Sequence, residues 1–140
     1  MPQVFAQREL LASREDVWSF LAEPHHLSDW WPGIGGVEPD RRGLAPGARW
    51  RVSGTGRPTL LRSPEMSGTL LVLDVEPLER IAWQFTGERL DVELRLSAEA
   101  PDRTLVQLEI TGPWLVGLRR SLPRKALMRL HALVQTAAEL

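Results

Sequence analysis

The sequence predicts an α+β fold in which a curved antiparallel sheet wraps around one long C-terminal helix. Between residues 67 and 110, four consecutive segments alternate apolar and polar side chains, which is the pattern of strands with one buried face. From Gly112 to Leu140, apolar residues recur at steps of three and four, which places them along one face of a helix. An apolar helix face requires an apolar partner, and the upstream strands are the natural one.

The N-terminal part predicts one strand followed by two short helices. Val4 to Leu11 has the composition of a strand. Ser13 can cap a helix, because its hydroxyl can accept a hydrogen bond from the amides of the next turn. That helix should end at Glu23, since a residue that precedes proline avoids helical geometry. Residues His25 to Asp29 can add one more turn.

The middle of the chain is predicted to alternate between loops and short strands. Trp30 to Gly36 combines two indoles, a proline and three glycines, which is typical of a loop. Val37 to Asp40 can form a short strand, and Ala48 to Val52 alternates as a half-buried strand should. The connection from Ser53 to Pro64 is rich in glycine and proline, and its length makes it a candidate lid.

The four alternating segments that follow predict an antiparallel meander. Short turns that contain glycine or proline join them. Their predicted bounds are Ser67 to Glu76, Arg80 to Thr86, Leu90 to Leu96 and Val106 to Ile110.

The predicted C-terminal helix contains a proline in its interior. Pro113 fits the first helical position, where its missing N–H has no helical partner to lose. Pro123 either kinks the axis, or Ser121 caps a second, shorter helix that starts there. In both cases residues 114–120 separate from the straight part of the helix and can form part of a portal.

Length and composition suit a single domain over residues 1–140. The absence of cysteine excludes disulfides, thiolate metal sites and thiol nucleophiles. A net charge of −1 argues against nucleic-acid binding. The longest apolar run, Leu70 to Leu73, is far shorter than the ~20 residues of a membrane helix, and the N-terminus lacks the pattern of a signal peptide. We therefore expect a cytoplasmic protein that neither inserts into membranes nor binds nucleic acid.

Several short motifs occur in an order that carries a family resemblance. They are Ser13-Arg14-Glu15-Asp16-Val17-Trp18, Trp30-Trp31-Pro32-Gly33, Pro46-Gly47, Val75-Glu76-Pro77-Leu78-Glu79-Arg80-Ile81-Ala82-Trp83 and the tail from Leu127 to Leu140. With these motifs and this order of elements, the chain resembles the SRPBCC superfamily. That superfamily includes START lipid-transfer domains, birch-allergen-like proteins, polyketide cyclases and heat-shock-protein ATPase activators.

The resemblance implies a helix-grip fold. In that fold about seven strands wrap around the C-terminal helix and leave a cavity between sheet and helix for an apolar ligand. The resemblance does not choose a function, because members divide among ligand carriers, enzymes and protein-binding modules, and no subfamily motif is present.

The aromatic composition points to residues that could line such a cavity. There are six Trp, three Phe and no Tyr. Trp83 and Phe85 fit ordinary core packing equally well, whereas Trp31 is expected at the cavity rim because a glycine-rich loop offers few core neighbours. The predicted ligand-binding residues lie on inward strand faces, on the glycine-rich loop or on the C-terminal helix: Trp31, Trp50, Trp83, Phe85, Leu94, Leu108, Trp114, Leu118 and Leu122.

Candidate catalytic groups are few. His26 with Asp29 is the only cluster that suggests acid–base chemistry, and an exposed turn histidine beside a solvated or capping Asp29 is the alternative. Arg119 lies at the flank of the apolar stripe and could meet a ligand carboxylate, or it could be an ordinary surface arginine. Apart from His25, which adjoins His26, His131 is the only other histidine, so we expect no metal site, and no motif indicates a cofactor.

Three functional hypotheses follow. The first is binding of a small hydrophobic molecule of lipid, polyketide or isoprenoid type, without catalysis or with weak catalysis. The second is an enzyme of the cyclase or aromatase kind, with Arg119 and His26 or Asp29 polarising carbonyl groups. The third is a protein-interaction module that uses the open sheet face, and a homodimer is left open.

Overall fold

The structure, a computed structural model, describes residues 3–54, 68–113 and 120–138. Its three α-helices within these ranges are α1 (Arg14–Ala22), α2 (Leu27–Trp30) and α3 (Leu122–Ala138), and a 3₁₀ turn over Pro24–His26 joins α1 to α2. The strands are β1 (Gln3–Leu10), β2 (Gly36–Glu38), β3 (Arg49–Ser53), β4 (Gly68–Glu76), β5 (Arg80–Phe85), β6 (Leu90–Ala100) and β7 (Arg103–Thr111).

The seven strands form one antiparallel sheet in the order β1-β7-β6-β5-β4-β3-β2. Strands β4 to β7 pair with their chain neighbours, so the predicted meander is confirmed. Strand β1 pairs with β7, with Val4 opposite Ile110 and Leu10 opposite Thr104. The sheet, the two short helices after β1 and the C-terminal helix together confirm the predicted helix-grip architecture.

Helix α1 begins and ends where the sequence predicts. The Ser13 side chain accepts a hydrogen bond from the Asp16 N–H at 3.1 Å, which satisfies one of the unpaired amides of the first turn. Glu23 adopts an extended conformation with ψ of 111°, as the following Pro24 requires. The chain then turns again through Pro24–His26 and α2, which places Leu27 and Trp30 on the core side.

The main core lies between the concave face of the sheet and the helices. Leu94, Leu108 and Ile110 are fully buried on the sheet side. Helix α3 packs chiefly against β1 and also contacts β7, α1 and α2. The side chains that α3 buries lie along one stripe, as the periodicity predicts: Leu122, Ala126, Leu127, Leu130 and Val134.

The C-terminal helix differs from the continuous helix predicted from Gly112. The described α-helix starts at Leu122, so Pro123 lies in its first turn, where no N–H···O bond is lost. This matches the second of the two alternatives, a shorter helix that begins at this proline. Residues 114–119, which make up nearly all of the predicted portal, lie outside the described residues, as do residues 55–64 of the candidate lid.

No helix in the described ranges is long and apolar enough to span a membrane.

Candidate functional site

A small apolar cavity lies between the two short helices and strands β3 to β5. The helices contribute Leu21, Leu27 and Trp30. The concave face of the sheet contributes Trp50, Leu70, Val72, Ile81 and Trp83. The half-buried Leu44, from the loop between β2 and β3, completes the described wall.

The cavity offers a volume of about 20 Å³ to the centre of a water molecule, which is room for roughly one water. The sequence predicts a cavity between the sheet and the C-terminal helix, but none of the described residues of α3 lines this one. Its wall is instead built from α1, α2 and three neighbouring strands. A ligand larger than a water must therefore push this wall outward.

Period-two alternation explains the sheet side of the wall. Trp50, Val72 and Trp83 lie on the concave face, and Val72 pairs with Trp83 across strands β4 and β5. A bulge at Leu73 interrupts the pairing between β4 and β5 and turns that side chain outward, where it is 46% exposed. Val72 and Leu73 are therefore adjacent apolar residues on opposite faces of the sheet.

Trp50 anchors the loop that carries Leu44. The Trp50 indole N–H donates to the Gly43 carbonyl at 2.8 Å. The Asp40 carboxylate accepts from the backbone N–H groups of Arg42 and Arg49, both at 2.9 Å. These bonds, chiefly the one from Arg49, hold the pKa of the Asp40 carboxyl below its usual value. The β2–β3 loop is thus tied down on both sides of Leu44.

Trp83 has no comparable partner. It is 5% exposed, its indole nitrogen is sealed from solvent, and no acceptor of the described residues lies within hydrogen-bond distance. Its ring makes edge-to-face contacts with Trp30 and Trp31 at centroid distances of 6.4 and 5.8 Å. The cavity wall therefore contains one buried hydrogen-bond donor without a conventional acceptor.

The rim position predicted for Trp31 is wrong, because Trp31 is fully buried. Its backbone N–H bonds to the Leu27 carbonyl at 2.9 Å and ends α2, and the ring packs inward 5.3 Å from Phe85. Trp31 and Phe85 thus form a layer beside Trp83. The other predicted binding residues with described side chains, Leu94, Leu108 and Leu122, are buried core residues that do not line this cavity. Trp114 and Leu118 lie outside the described residues.

Several wall residues are absent from the sequence-based prediction of the site. Leu70, Val72 and Ile81 follow the same alternation as Trp83, so periodicity could have identified them. Leu27 and Trp30 are three residues apart, a spacing that places them on one helix face. Leu44 carries no signal in the sequence, because it lies in an irregular turn.

The catalytic candidates do not converge on the cavity. His26 Nδ1 lies 2.8 Å from the Phe20 carbonyl, and the imidazole stacks on the Phe20 ring at 4.2 Å, so the histidine fixes the link between α1 and α2. Asp29 is exposed on α2, and neither residue lines the cavity. Arg119 lies outside the described residues. Within the described ranges, no three His, Asp or Glu side chains are grouped so that they could hold a metal ion.

A polar cluster covers the opposite, convex face of β5. Arg80 forms ion pairs with Asp74, with Glu76 at 3.3 Å and with Glu93 at 3.7 Å. The hydrogen bond to Glu76 is the main cause of a raised Arg80 pKa. The side chain of Arg80 is 19% exposed, and its charge is matched by neighbouring carboxylates.

Solved structures with the same fold cover nearly the whole chain. The di-domain ARO/CYC protein BexL of the BE-7585A biosynthetic pathway is 16% identical with a TM-score of 0.77, and the match covers 100% of this chain and 48% of BexL. XoxI from Bacillus cereus is 14% identical with a TM-score of 0.75 and 99% of both chains covered. A norcoclaurine synthase point mutant from Thalictrum flavum, in complex with a transition-state analogue, is 14% identical with a TM-score of 0.68 and 98% and 96% covered.

At these identities the structural likeness shows the fold alone. A comparison with curated proteins found no match. The family model described as "Polyketide cyclase / dehydrase and lipid transport" matches residues 1–135. The sequence motifs, the seven-stranded sheet with its C-terminal helix and this match agree, and the chain belongs to the polyketide cyclase/dehydrase and lipid transport family of the SRPBCC superfamily.

Proposed function

We propose that the protein binds one small, largely apolar molecule in the cavity between α1, α2 and strands β3 to β5. The observation that carries this proposal is the composition of the wall. Every described residue that lines the cavity is Leu, Ile, Val or Trp, so this part of the wall can desolvate an apolar ligand and contributes no charged group to act on it. A lipid, polyketide or isoprenoid fragment fits this chemistry.

The small volume of the closed cavity implies that the ligand binds by widening it. Among the described wall residues, Leu44 is the half-buried one, so a change of its side-chain rotamer, with the loop backbone held in place, is the natural way to widen the cavity. Burial of ~200 Å² of apolar ligand surface would provide about 5 kcal/mol, from which the cost of moving the wall and immobilising the ligand is subtracted. A gain of about 5 kcal/mol corresponds to a Kd of about 0.2 mM before these costs, so we expect affinity in the millimolar range for ring-sized probes.

The described geometry favours binding over cyclase chemistry. The cyclase alternative needs titratable groups that face the ligand, and His26 is engaged with the Phe20 carbonyl outside the cavity wall. The structural likeness to BexL and norcoclaurine synthase supports the fold and leaves the reaction open. No described contact specifically favours the protein-interaction alternative.

Binding can be tested with toluene as a ring probe and 2-octanone as a chain probe, both uncharged and without a hydrogen-bond donor. Because Trp30, Trp50 and Trp83 line the cavity, occupancy should change the tryptophan fluorescence, and the melting temperature should rise with probe concentration. The variant Val72→Phe fills the cavity and should weaken binding at least about tenfold. The matched control is Leu73→Phe, which places the same ring on the outer face and should bind as the wild type does.

Circular dichroism and thermal melting establish that both variants are folded. Equal affinity of Val72→Phe and the wild type would show that the probes bind elsewhere. Absence of binding by both probes up to their solubility limits would contradict the proposed function.

A further inference from the structure

We infer that the Trp83 indole N–H is the donor that selects a carbonyl-bearing ligand, an inference that rests on the proposed function. The ligand class is a small apolar molecule with one acceptor oxygen, of ketone, aldehyde or ester type. The inference starts from the buried nitrogen described above, which is sealed from solvent and finds no acceptor in the described protein.

An unpaired buried donor is energetically costly. Leaving an N–H without a partner costs about 1–3 kcal/mol, and buried Trp nitrogens normally find one. Trp50, in the same cavity wall, follows this rule through its 2.8 Å bond to the Gly43 carbonyl. The two indoles thus differ: the Trp50 N–H is bonded to the protein, whereas the Trp83 N–H has no acceptor in the described protein.

Neighbouring aromatic rings can satisfy the Trp83 N–H only weakly. The rings of Trp30 and Trp31 stand at 88° and 67° to that of Trp83, an arrangement in which an indole edge meets a ring face. An N–H···π contact is a second-order interaction and is readily exchanged for a carbonyl acceptor. These contacts can stabilise the empty site without competing strongly with a ligand.

A single water is also a poor partner. The cavity is large enough for about one water, which ordinarily makes two to four hydrogen bonds to polar groups. The described wall is apolar apart from its indoles, and the Trp50 N–H is already engaged. A carbonyl oxygen attached to an apolar skeleton fits better, because its carbon atoms contact the Leu, Ile and Val side chains while its oxygen accepts from Trp83.

The same reasoning predicts the order of affinity among ligands that share one carbon skeleton and differ in their functional group. A carbonyl is an acceptor only, so pairing with Trp83 leaves no polar atom without a partner. A hydroxyl brings a donor as well, and no side chain of the described wall is a conventional hydrogen-bond acceptor for it. A hydrocarbon leaves Trp83 unpaired. We expect the Trp83 interaction to favour acetophenone over 1-phenylethanol, and 1-phenylethanol over ethylbenzene.

The first test measures the donor directly in the wild-type protein. In ¹⁵N-HSQC spectra, the indole resonance that disappears in Trp83→Phe identifies Trp83. Acetophenone should shift this resonance downfield, as expected for a new N–H···O bond, while ethylbenzene should leave it without a downfield shift. This measurement does not depend on the stability of any variant.

The second test compares affinities. Trp83→Phe removes the donor and also part of the wall, so the loss of the donor is measured by the ratio of the two affinities. The preference for acetophenone over ethylbenzene should fall about tenfold, the value of roughly one neutral hydrogen bond. Phe85→Leu, which alters the neighbouring aromatic layer without removing a donor, is the control and should not change the preference between the two probes.

The outcomes separate the two proposals. If both probes bind, Trp83→Phe affects them equally and the Trp83 resonance does not respond to the ketone, the donor role is overturned while apolar binding stands. If neither probe binds, both the donor role and the proposed function fail for ligands of this size.

Discussion

On the convex face of β5, Arg80 and Gln84 both reach acceptors, whereas on the concave face Trp83 reaches none within the described residues. Arg80 is surrounded by Asp74, Glu76 and Glu93, and Gln84 donates to Asp91 at 2.9 Å. Trp83 lies one residue before Gln84 and is buried with a free donor. The same strand thus pairs its partly buried polar groups and leaves the fully buried one unpaired.

This difference is informative because it is the opposite of what hydrogen-bond energetics favours. An unpaired polar group that water can reach costs little free energy, because water replaces the missing partner. An unpaired buried donor costs more, because it has lost its hydration and gained no hydrogen bond. Stability alone would therefore pair Trp83 first. The unpaired donor is therefore the observation behind our inference that Trp83 bonds to a ligand.

The largest expected effect comes from the concave side. Trp31→Ala removes a fully buried indole beside Phe85 and should lower the free energy of unfolding by about 3–5 kcal/mol. Gln84→Ala, on the convex side, should change it by less than about 0.5 kcal/mol. Urea denaturation of both variants checks this. Similar losses in the two variants would remove the distinction between a packed face and a solvated one.

Thr104 offers a paired counterpart to Trp83 on the concave face. Its buried hydroxyl donates to the Ala12 carbonyl at 2.9 Å. Thr104→Val preserves the shape but leaves that carbonyl without this donor, and should cost about 2 kcal/mol in urea unfolding. Thr104→Ser retains the donor and should lose less stability than Thr104→Val. A Val variant as stable as the wild type would show that unpaired polar groups are tolerated on this face.

On the convex face, Arg80→Gln should cost about 1–2 kcal/mol, because three carboxylates lose their shared cation. The loss should shrink in 1 M NaCl, where the repulsion among the carboxylates is screened. Arg51→Gln is the control, since Arg51 is 81% exposed and lies 3.9 Å from Glu38. If the loss of stability in Arg80→Gln does not depend on the salt concentration, the loss is due to packing and not to charge.

The smallest effect concerns the loop over the cavity and depends on pH. Because the folded-state pKa of Asp40 is lowered, its ionised form stabilises the fold above the unfolded value of 3.8, and this stabilisation disappears as pH falls through the folded-state pKa. Asp40→Ala should therefore be less stable than wild type at pH 6, and the two should converge as the pH falls below the folded-state pKa of Asp40. Melting temperatures across this range test the prediction, with Asp102→Ala in the β6–β7 turn as a control. A difference in melting temperature between Asp40→Ala and the wild type that persists at low pH would contradict the prediction.

Much of the fold could be predicted from local patterns. Alternation identified β4 to β7, and Ser13 and Pro24 identified the two ends of α1, because these signals depend on nearby residues alone. The inward turn of Trp31 depends on how α2 ends and on distant Phe85, so no local pattern contains it.

The site was less predictable for the same reason. Trp50 and Trp83 were correctly placed on the inner face, but the sequence does not distinguish an indole with a partner from one without. The partner of Trp50 is the backbone of Gly43, which is brought there by the loop. Leu44 follows in that loop and has no periodic signal. Cavities depend on such tertiary contacts, whereas strands depend mainly on local ones.

The pairing of β1 with β7 has a consequence for folding. The side chains of Gln3 and Glu109 are hydrogen-bonded across 106 positions of sequence, and α3, the last element, packs chiefly on β1, the first. Loop closure of this length slows folding, and a ribosome-bound chain cannot complete its sheet until β7 has emerged. Until then the edge of β1 that pairs with β7 in the folded protein is available to other chains. We expect the extent of aggregation during synthesis to depend on the time between the emergence of β1 from the ribosome and its pairing with β7.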